Sequence, residues 1–194
     1  MRRKTVLNIP GLVLAIFILA CGTLALSGCG SEQGETGAEN AGTDTQPARP
    51  VVARKGGPAP DFTLRKINGG NLQLSSLQGK AVILDFWDTW CPPCRRAMPH
   101  LQELSETYSD DLVVVGVAMG REGEAKVRSY TVNNGLTFEM VMFNNDPNLI
   151  TAFGGIQSIP TTFLIDREGV IREKWVGGFG KETYEAAVKN VIGS

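Results

Sequence analysis

The chain has 194 residues, 42% of them hydrophobic, with 19 basic against 20 acidic side chains, a formal net charge of −1 and a pI near 5.9. That length suits one globular domain, and the balanced charge with no long basic run excludes the electrostatic footprint that nucleic-acid binding needs. Four cysteines and one histidine exclude a disulfide scaffold, and the single Cys-x-x-Cys leaves no second pair for a four-ligand zinc site.

Arg2, Arg3 and Lys4 open the chain, and residues 9–26 carry no charge and are almost wholly apolar. This pattern is that of an export signal. At its end, Leu26-Ser27-Gly28-Cys29 resembles the lipobox of a bacterial lipoprotein precursor. The resemblance implies lipidation of Cys29, cleavage before it, and an extracytoplasmic, membrane-anchored product on the periplasmic side. Cys21, after Leu19-Ala20, matches less well and reads as part of the apolar run. Removing residues 1–28 takes away three positive charges and no negative one, so 16 basic residues remain against 20 acidic and the mature chain has a net charge of −4. Residues 30–57 are rich in Gly, Ala, Glu, Thr and Pro and contain no aromatic side chain. Such a segment cannot bury enough surface to offset the entropy of ordering, and reads as a flexible tether from Cys29 with a reach of roughly 30 Å.

Residues 58–194 read as the folded unit. Asp61 to Leu64 and Leu72 to Leu74 alternate around Asn68-Gly69-Gly70 and predict a β-hairpin. Ala81 to Trp87 is a continuous apolar run, suited to a strand covered on both faces, and Asp85 is its one charge. A helix is predicted from just after Cys91 to about Tyr108, opened by prolines and kinked at Pro99. Leu112 to Ala118 predicts a second buried strand, Glu122 to Asn134 a helix closed by Gly135, and Phe138 to Phe143 a further strand. Asp146-Pro147-Asn148 opens a short helix that ends at Gly154-Gly155. Thr161 to Ile165 and Val170 to Val176 then form strand and strand around Asp166-Arg167-Glu168-Gly169, and Lys181 to Ile192 is a last helix. The alternation followed by a hairpin predicts an α/β fold, with a central mixed sheet flanked by helices.

The chemistry concentrates at Trp90-Cys91-Pro92-Pro93-Cys94. A thiol at a helix start faces unpaired backbone N–H groups and the positive end of the helix dipole, both of which favour thiolate, so Cys91 is the expected nucleophile. Arg95 and Arg96 push the same way. Cys94, one turn on, can close a disulfide with Cys91 and resolve a mixed one. A c-type haem site would need histidine at position 95, which is arginine. A metal site lacks ligands, since His100 stands about half a turn round the helix from Cys91 and reads as an exposed or packing residue. A pair of inert core cysteines is the remaining reading, and export to an oxidising compartment argues against it. No metal or other cofactor is expected.

Residues 58–194 resemble the TlpA/ResA-like family of exported thioredoxin-fold thiol-disulfide oxidoreductases. The residues that carry the resemblance are Ala59-Pro60-Asp61-Phe62, Ser76-Leu77-Gln78-Gly79-Lys80, Phe86-Trp87-Asp88-Thr89-Trp90-Cys91-Pro92-Pro93-Cys94, and Ile159-Pro160-Thr161-Thr162-Phe163-Leu164-Ile165-Asp166. The resemblance implies a thioredoxin-like fold with an N-terminal hairpin and a helix–strand insertion, and a redox disulfide between Cys91 and Cys94. It also implies a cis peptide bond before Pro160, against the Cys91 sulfur. The substrate face it implies comprises Trp90, Pro92, Pro93, Ile159, Pro160 and Thr161. The implied activity is reduction of protein disulfides by a monomer, apocytochrome c among the substrates, with electrons from a membrane thiol carrier.

Two carboxylates depart from that family. Asp85 stands where ResA-like members often have an amide, and matches the buried aspartate of thioredoxin beneath the second cysteine, a place to take and return a proton. The glutamate expected three residues after the second cysteine is Ala97 here. Asp88 replaces a small residue; it is either a charge that bears on the Cys91 thiolate or a solvated loop carboxylate. Two other activities fit less well. A peroxidase of this fold would show Pro-x-x-x-Thr-x-x-Cys, but position 84 is leucine. A copper-delivery module would want Cys-x-x-x-Cys and a distant histidine.

Overall fold

A computed structural model describes residues 53–193. The expected signal segment, Cys21, Cys29 and most of the tether lie outside the described residues. In chain order the strands are β1 (Thr63–Lys66), β2 (Asn71–Gln73), β3 (Ala81–Trp87), β4 (Leu112–Ala118), β5 (Glu139–Met142), β6 (Thr161–Ile165) and β7 (Ile171–Val176). The helices are α1 (Pro92–Thr107), α2 (Glu124–Asn133), α3 (Pro147–Ala152) and α4 (Lys181–Ile192). The strands form one seven-stranded mixed sheet in the order β2-β1-β5-β4-β3-β6-β7. β3, β4 and β5 run parallel at its centre, and every other pair is antiparallel.

The centre of this sheet explains the apolar runs of the sequence. All seven residues of β3 are buried, because β4 and β6 flank it and side chains on both faces meet a helix layer or a loop layer. Successive side chains of β3 alternate between two cores. Ala81, Ile83 and Trp87 pack with Cys94, Met98, Leu101 and Leu104 of α1 and with Tyr184 and Val188 of α4. Val82, Leu84 and Phe86 pack on the opposite face with Leu149, Phe153 and Phe163. Asp85, by the same alternation, faces the α1–α4 layer. Its neighbour across the sheet is Gly116 of β4, where a side chain would not fit: a Cβ would lie 2.7 Å from the Met140 sulfur and 3.0 Å from Trp87 Nε1.

The element boundaries that sequence predicts for β3, β4, β6 and α4 coincide with those observed, and α2 and β5 are shorter at both ends. α1 continues through Pro99, whose ring is exposed to solvent. A 3-10 turn at Leu74–Leu77, where the second hairpin strand was expected to end, is held by Asp61: its carboxylate accepts from Ser75 N at 2.8 Å and Gln73 Nε2 at 2.7 Å. Residues just before 58 are also tied to this domain by backbone hydrogen bonds. Gly56 N–H donates to Ile171 O at 2.7 Å, and Ile171 N–H donates to Gly57 O at 2.9 Å. These bonds place residues 53–57 with the folded unit, although their composition alone reads as tether. Among the described residues no helix is long and apolar enough to cross a membrane.

Candidate redox site

The site forms where β3 runs out into α1. Cys91 is the N-cap of α1, with extended backbone, and the Cys94 N–H points at its sulfur at 3.3 Å. Pro92 and Pro93 occupy the first helical turn, where a missing N–H breaks no hydrogen bond. Cys91 and Cys94 are joined in a disulfide. Cys94 is fully buried, and Cys91 retains 2% of its surface, so the exposed part of the site is built by its flanks: Trp90, 45% exposed, and Pro92. A helix N-terminus aimed at Cys91 favours its thiolate once the disulfide is opened.

From the neighbouring strand, the segment before β6 closes on the same sulfur. The Ile159–Pro160 peptide bond is cis, and the Ile159 carbonyl oxygen lies 3.6 Å from Cys91 Sγ. Pro160 is buried and its carbonyl accepts from Gly177 N at 2.8 Å. Thr161 offers no side chain to the surface, because its hydroxyl is turned inward onto Ser158 O at 2.7 Å. Pro93 is half-buried, beside the loop after β7: a Cβ at Gly178 would lie 3.2 Å from Pro93 O.

Two carboxylates lie under this surface. Asp85 is fully buried; its Oδ1 accepts from the Thr162 hydroxyl at 2.7 Å, and its Oδ2 has no hydrogen-bond partner. Burial pushes its pKa up to about 7, against the opposing pull of the Thr162 bond. The Tyr184 hydroxyl is buried with no hydrogen-bond partner, and that burial raises its pKa. Asp88 is also fully buried, which corrects the reading of it as a solvated loop carboxylate. Its Oδ1 accepts from Thr89 N at 2.7 Å and its Oδ2 from Arg121 N at 2.9 Å, so it ties the active-site loop to the loop after β4. A second tie joins the same loops: the Thr89 hydroxyl donates to Glu122 at 2.6 Å.

Arg95 and Arg96 are exposed, Arg95 with its guanidinium 6.0 Å from the Tyr130 ring centre, and His100 is half-buried. Among the described residues no cluster of three or more His, Cys, Asp or Glu side chains could hold a metal ion. Sequence reasoning brought together Cys91, Cys94, Trp90 and the Ile159–Pro160 segment. It missed Arg121, which carries no local signal, and it named Thr162 only as part of a motif, not as the partner of Asp85; the loop after β4 and the register of β6 on β3 bring the two to the site.

Comparison with known proteins agrees with this geometry. The profile of the AhpC/TSA family matches residues 56–174. The chain is 36% identical to the thioredoxin-like protein YneN of Bacillus subtilis, over 73% of this chain and 82% of that one. It is 37% identical to the thiol-disulfide oxidoreductase ResA of Halalkalibacterium halodurans, over 69% and 75% of the two chains. A crystal structure of a thioredoxin-family thiol:disulfide interchange protein from Chlorobium tepidum superposes with a TM-score of 0.64 at 35% identity, covering 72% of this chain and 98% of that one.

Proposed function

The chain belongs to the AhpC/TSA family and is a thiol-disulfide oxidoreductase of the thioredoxin fold, and we propose that it works as a reductase of protein disulfides outside the cytoplasm, held at a membrane by a lipid on Cys29. In this reading residues 1–28 leave as the signal and the segment after Cys29 tethers a monomeric domain. The observation that carries the reading is the position of the Cys91 sulfur, at the start of α1, under the Cys94 N–H and against the Ile159 carbonyl.

The reduced enzyme begins with Cys91 as thiolate. It attacks one sulfur of the substrate disulfide; an enzyme–substrate S–S bond forms and the first substrate thiolate leaves. Cys94, deprotonated with Asp85 as acceptor, then attacks the Cys91 sulfur, which closes the Cys91–Cys94 disulfide and expels the second substrate thiolate. Two electrons have passed to the substrate; one proton reaches its thiols from Cys94 by way of Asp85, and the other comes from solvent, which took it when Cys91 ionised. A dithiol carrier at the membrane returns the enzyme to the reduced state by the reverse exchange. Trp90, Pro92, Pro93 and the main chain of Ile159, Pro160 and Thr161 form the face on which an extended substrate lies. The reductive direction, and apocytochrome c as one substrate, rest on the family resemblance.

Trapping tests the assignment of the two thiols. Cys94→Ser accumulates mixed disulfides with substrate proteins on non-reducing gels, and Cys91→Ser accumulates none. The reverse pattern exchanges the two roles, and unchanged disulfide reduction in both variants removes the proposed mechanism. The anchor has its own measurement: mass spectrometry of membrane-extracted protein yields an acylated peptide beginning at Cys29, whereas an unmodified chain that retains residues 1–28 rules the anchor out.

A further inference from the structure

The surface around the disulfide is not uniform. On one side of it lies a cleft of about 450 Å³, walled by Trp90, Met119, Ile156 and Ile159, with Asp88 beneath and Arg121 at its rim. Ile159 belongs both to this wall and to the contact with the Cys91 sulfur, so the cleft opens directly beside the reacting atom. Trp90 is among the few large hydrophobic side chains left exposed in the described residues. The Arg121 guanidinium sits over its ring, 5.5 Å from the centre.

The carboxylates near Arg121 are hydrogen-bonded elsewhere and form no ion pair with its guanidinium. Asp88 accepts from the Arg121 backbone N–H and from Thr89 N, and Glu122 accepts from the Thr89 hydroxyl. Each carboxylate is thus taken by backbone or hydroxyl, and among the described residues the Arg121 side chain has no ion pair. Arg95 and Arg96, exposed on the first turn of α1, have none either. Three cations, Arg95, Arg96 and Arg121, thus stand near the redox disulfide without an ion pair among the described residues, alongside the carboxylates of Asp88 and Glu122. Stacking on Trp90 holds the guanidinium in place, so that binding an anion there costs less side-chain entropy than at a free arginine.

We propose that this cleft selects substrates by the residues flanking their reactive cysteine: an apolar side chain enters between Trp90, Met119 and Ile156, and an adjacent aspartate or glutamate pairs with Arg121. The favoured partner is an acidic protein segment with a large apolar residue beside its disulfide. The inference rests on the thiol–disulfide exchange proposed above for Cys91 and names its substrate class.

The test uses the pre-reduced full-length protein and four peptides that share one disulfide ring and differ only in the flanking pair: Phe-Glu, Phe-Lys, Ser-Glu and Ser-Lys. Second-order rate constants are measured at low ionic strength. The Phe-Glu peptide reacts about threefold to fivefold faster than Phe-Lys, the range of one partly exposed ion pair, and about tenfold faster than Ser-Glu through apolar burial. Arg121→Gln brings the Glu-to-Lys ratio toward one, Arg121→Glu inverts it, and added salt weakens it in the wild type. Equal rates for the Glu and Lys peptides, or a preference that survives Arg121→Glu, overturn the selection while leaving the exchange chemistry standing. Failure to reduce any of the four peptides overturns the exchange chemistry and the selection together.

Discussion

Asp85 and Asp88 stand three residues apart, both fully buried, one inside β3 and the other just beyond its end, yet their surroundings differ in kind. The strand interior has already committed its backbone N–H groups to β4 and β6, so Asp85 receives only the Thr162 hydroxyl and keeps one oxygen unpartnered. The loop has free N–H groups, and Asp88 collects two of them, from Thr89 and Arg121. Burial alone therefore does not set a carboxylate's surroundings; the supply of hydrogen-bond donors does. In the mechanism proposed above the under-supplied Asp85 takes and returns the Cys94 proton, whereas Asp88 ties two loops together.

The comparison is broken most directly at Asp85. Asp85→Asn keeps the shape and removes the proton acceptor, and disulfide reduction near pH 7 falls by about 100-fold, the scale of lost general acid–base help. Its effect on stability has the opposite sign. Between about pH 4 and pH 7 the folded protein holds the Asp85 proton more tightly than the unfolded chain does, so the wild type loses stability as pH rises through that window. Asp85→Asn is thus more stable than the wild type at pH 8, and the advantage shrinks as pH falls toward 4. Thermal unfolding across pH measures this, and unchanged rates with an unchanged pH profile would make Asp85 structural only.

At Asp88 the expected effect moves from rate to stability. Asp88→Ala leaves the Thr89 and Arg121 N–H groups without their acceptor and costs about 2 to 3 kcal/mol, read from denaturant unfolding. Because the exchange proposed above passes no proton through Asp88, small-molecule disulfide reduction falls far less than in Asp85→Asn. If the rate loss at Asp88 equals that at Asp85, the division between the two carboxylates fails.

Thr162→Val sharpens the comparison with the smallest change. It removes the one bond that favours the ionised form of Asp85, so the Asp85 pKa rises further and the midpoint of the rate-versus-pH curve moves up by ~1 pH unit. A midpoint that stays in place would mean that Thr162 does not act through Asp85.

What the sequence determined by itself were the features that a short window contains. A strand covered on both faces is apolar along nearly its whole length, and so β3 and β4 are legible with their ends, and β6 as a β-branched and apolar run before a turn. Prolines after Cys91 mark a helix start, and the same window shows a thiol at that start. Asp85 was legible as an anomaly, a charge inside an apolar run. The tertiary structure alone decided what surrounds each polar group. Thr162 reaches Asp85 from a strand 77 residues further on, and the Arg121 N–H reaches Asp88 across 33 residues. Position 88 follows a strand and precedes a helix, which reads as solvent-facing loop until the β4 loop folds over it. Residues 53–57 have the composition of a tether, and their place in the fold comes from backbone bonds to Ile171, which no side chain announces. Periodicity and propensity act over a few residues and are written in the sequence, whereas a hydrogen-bond donor supplied from a distant strand exists only once the sheet has brought it there.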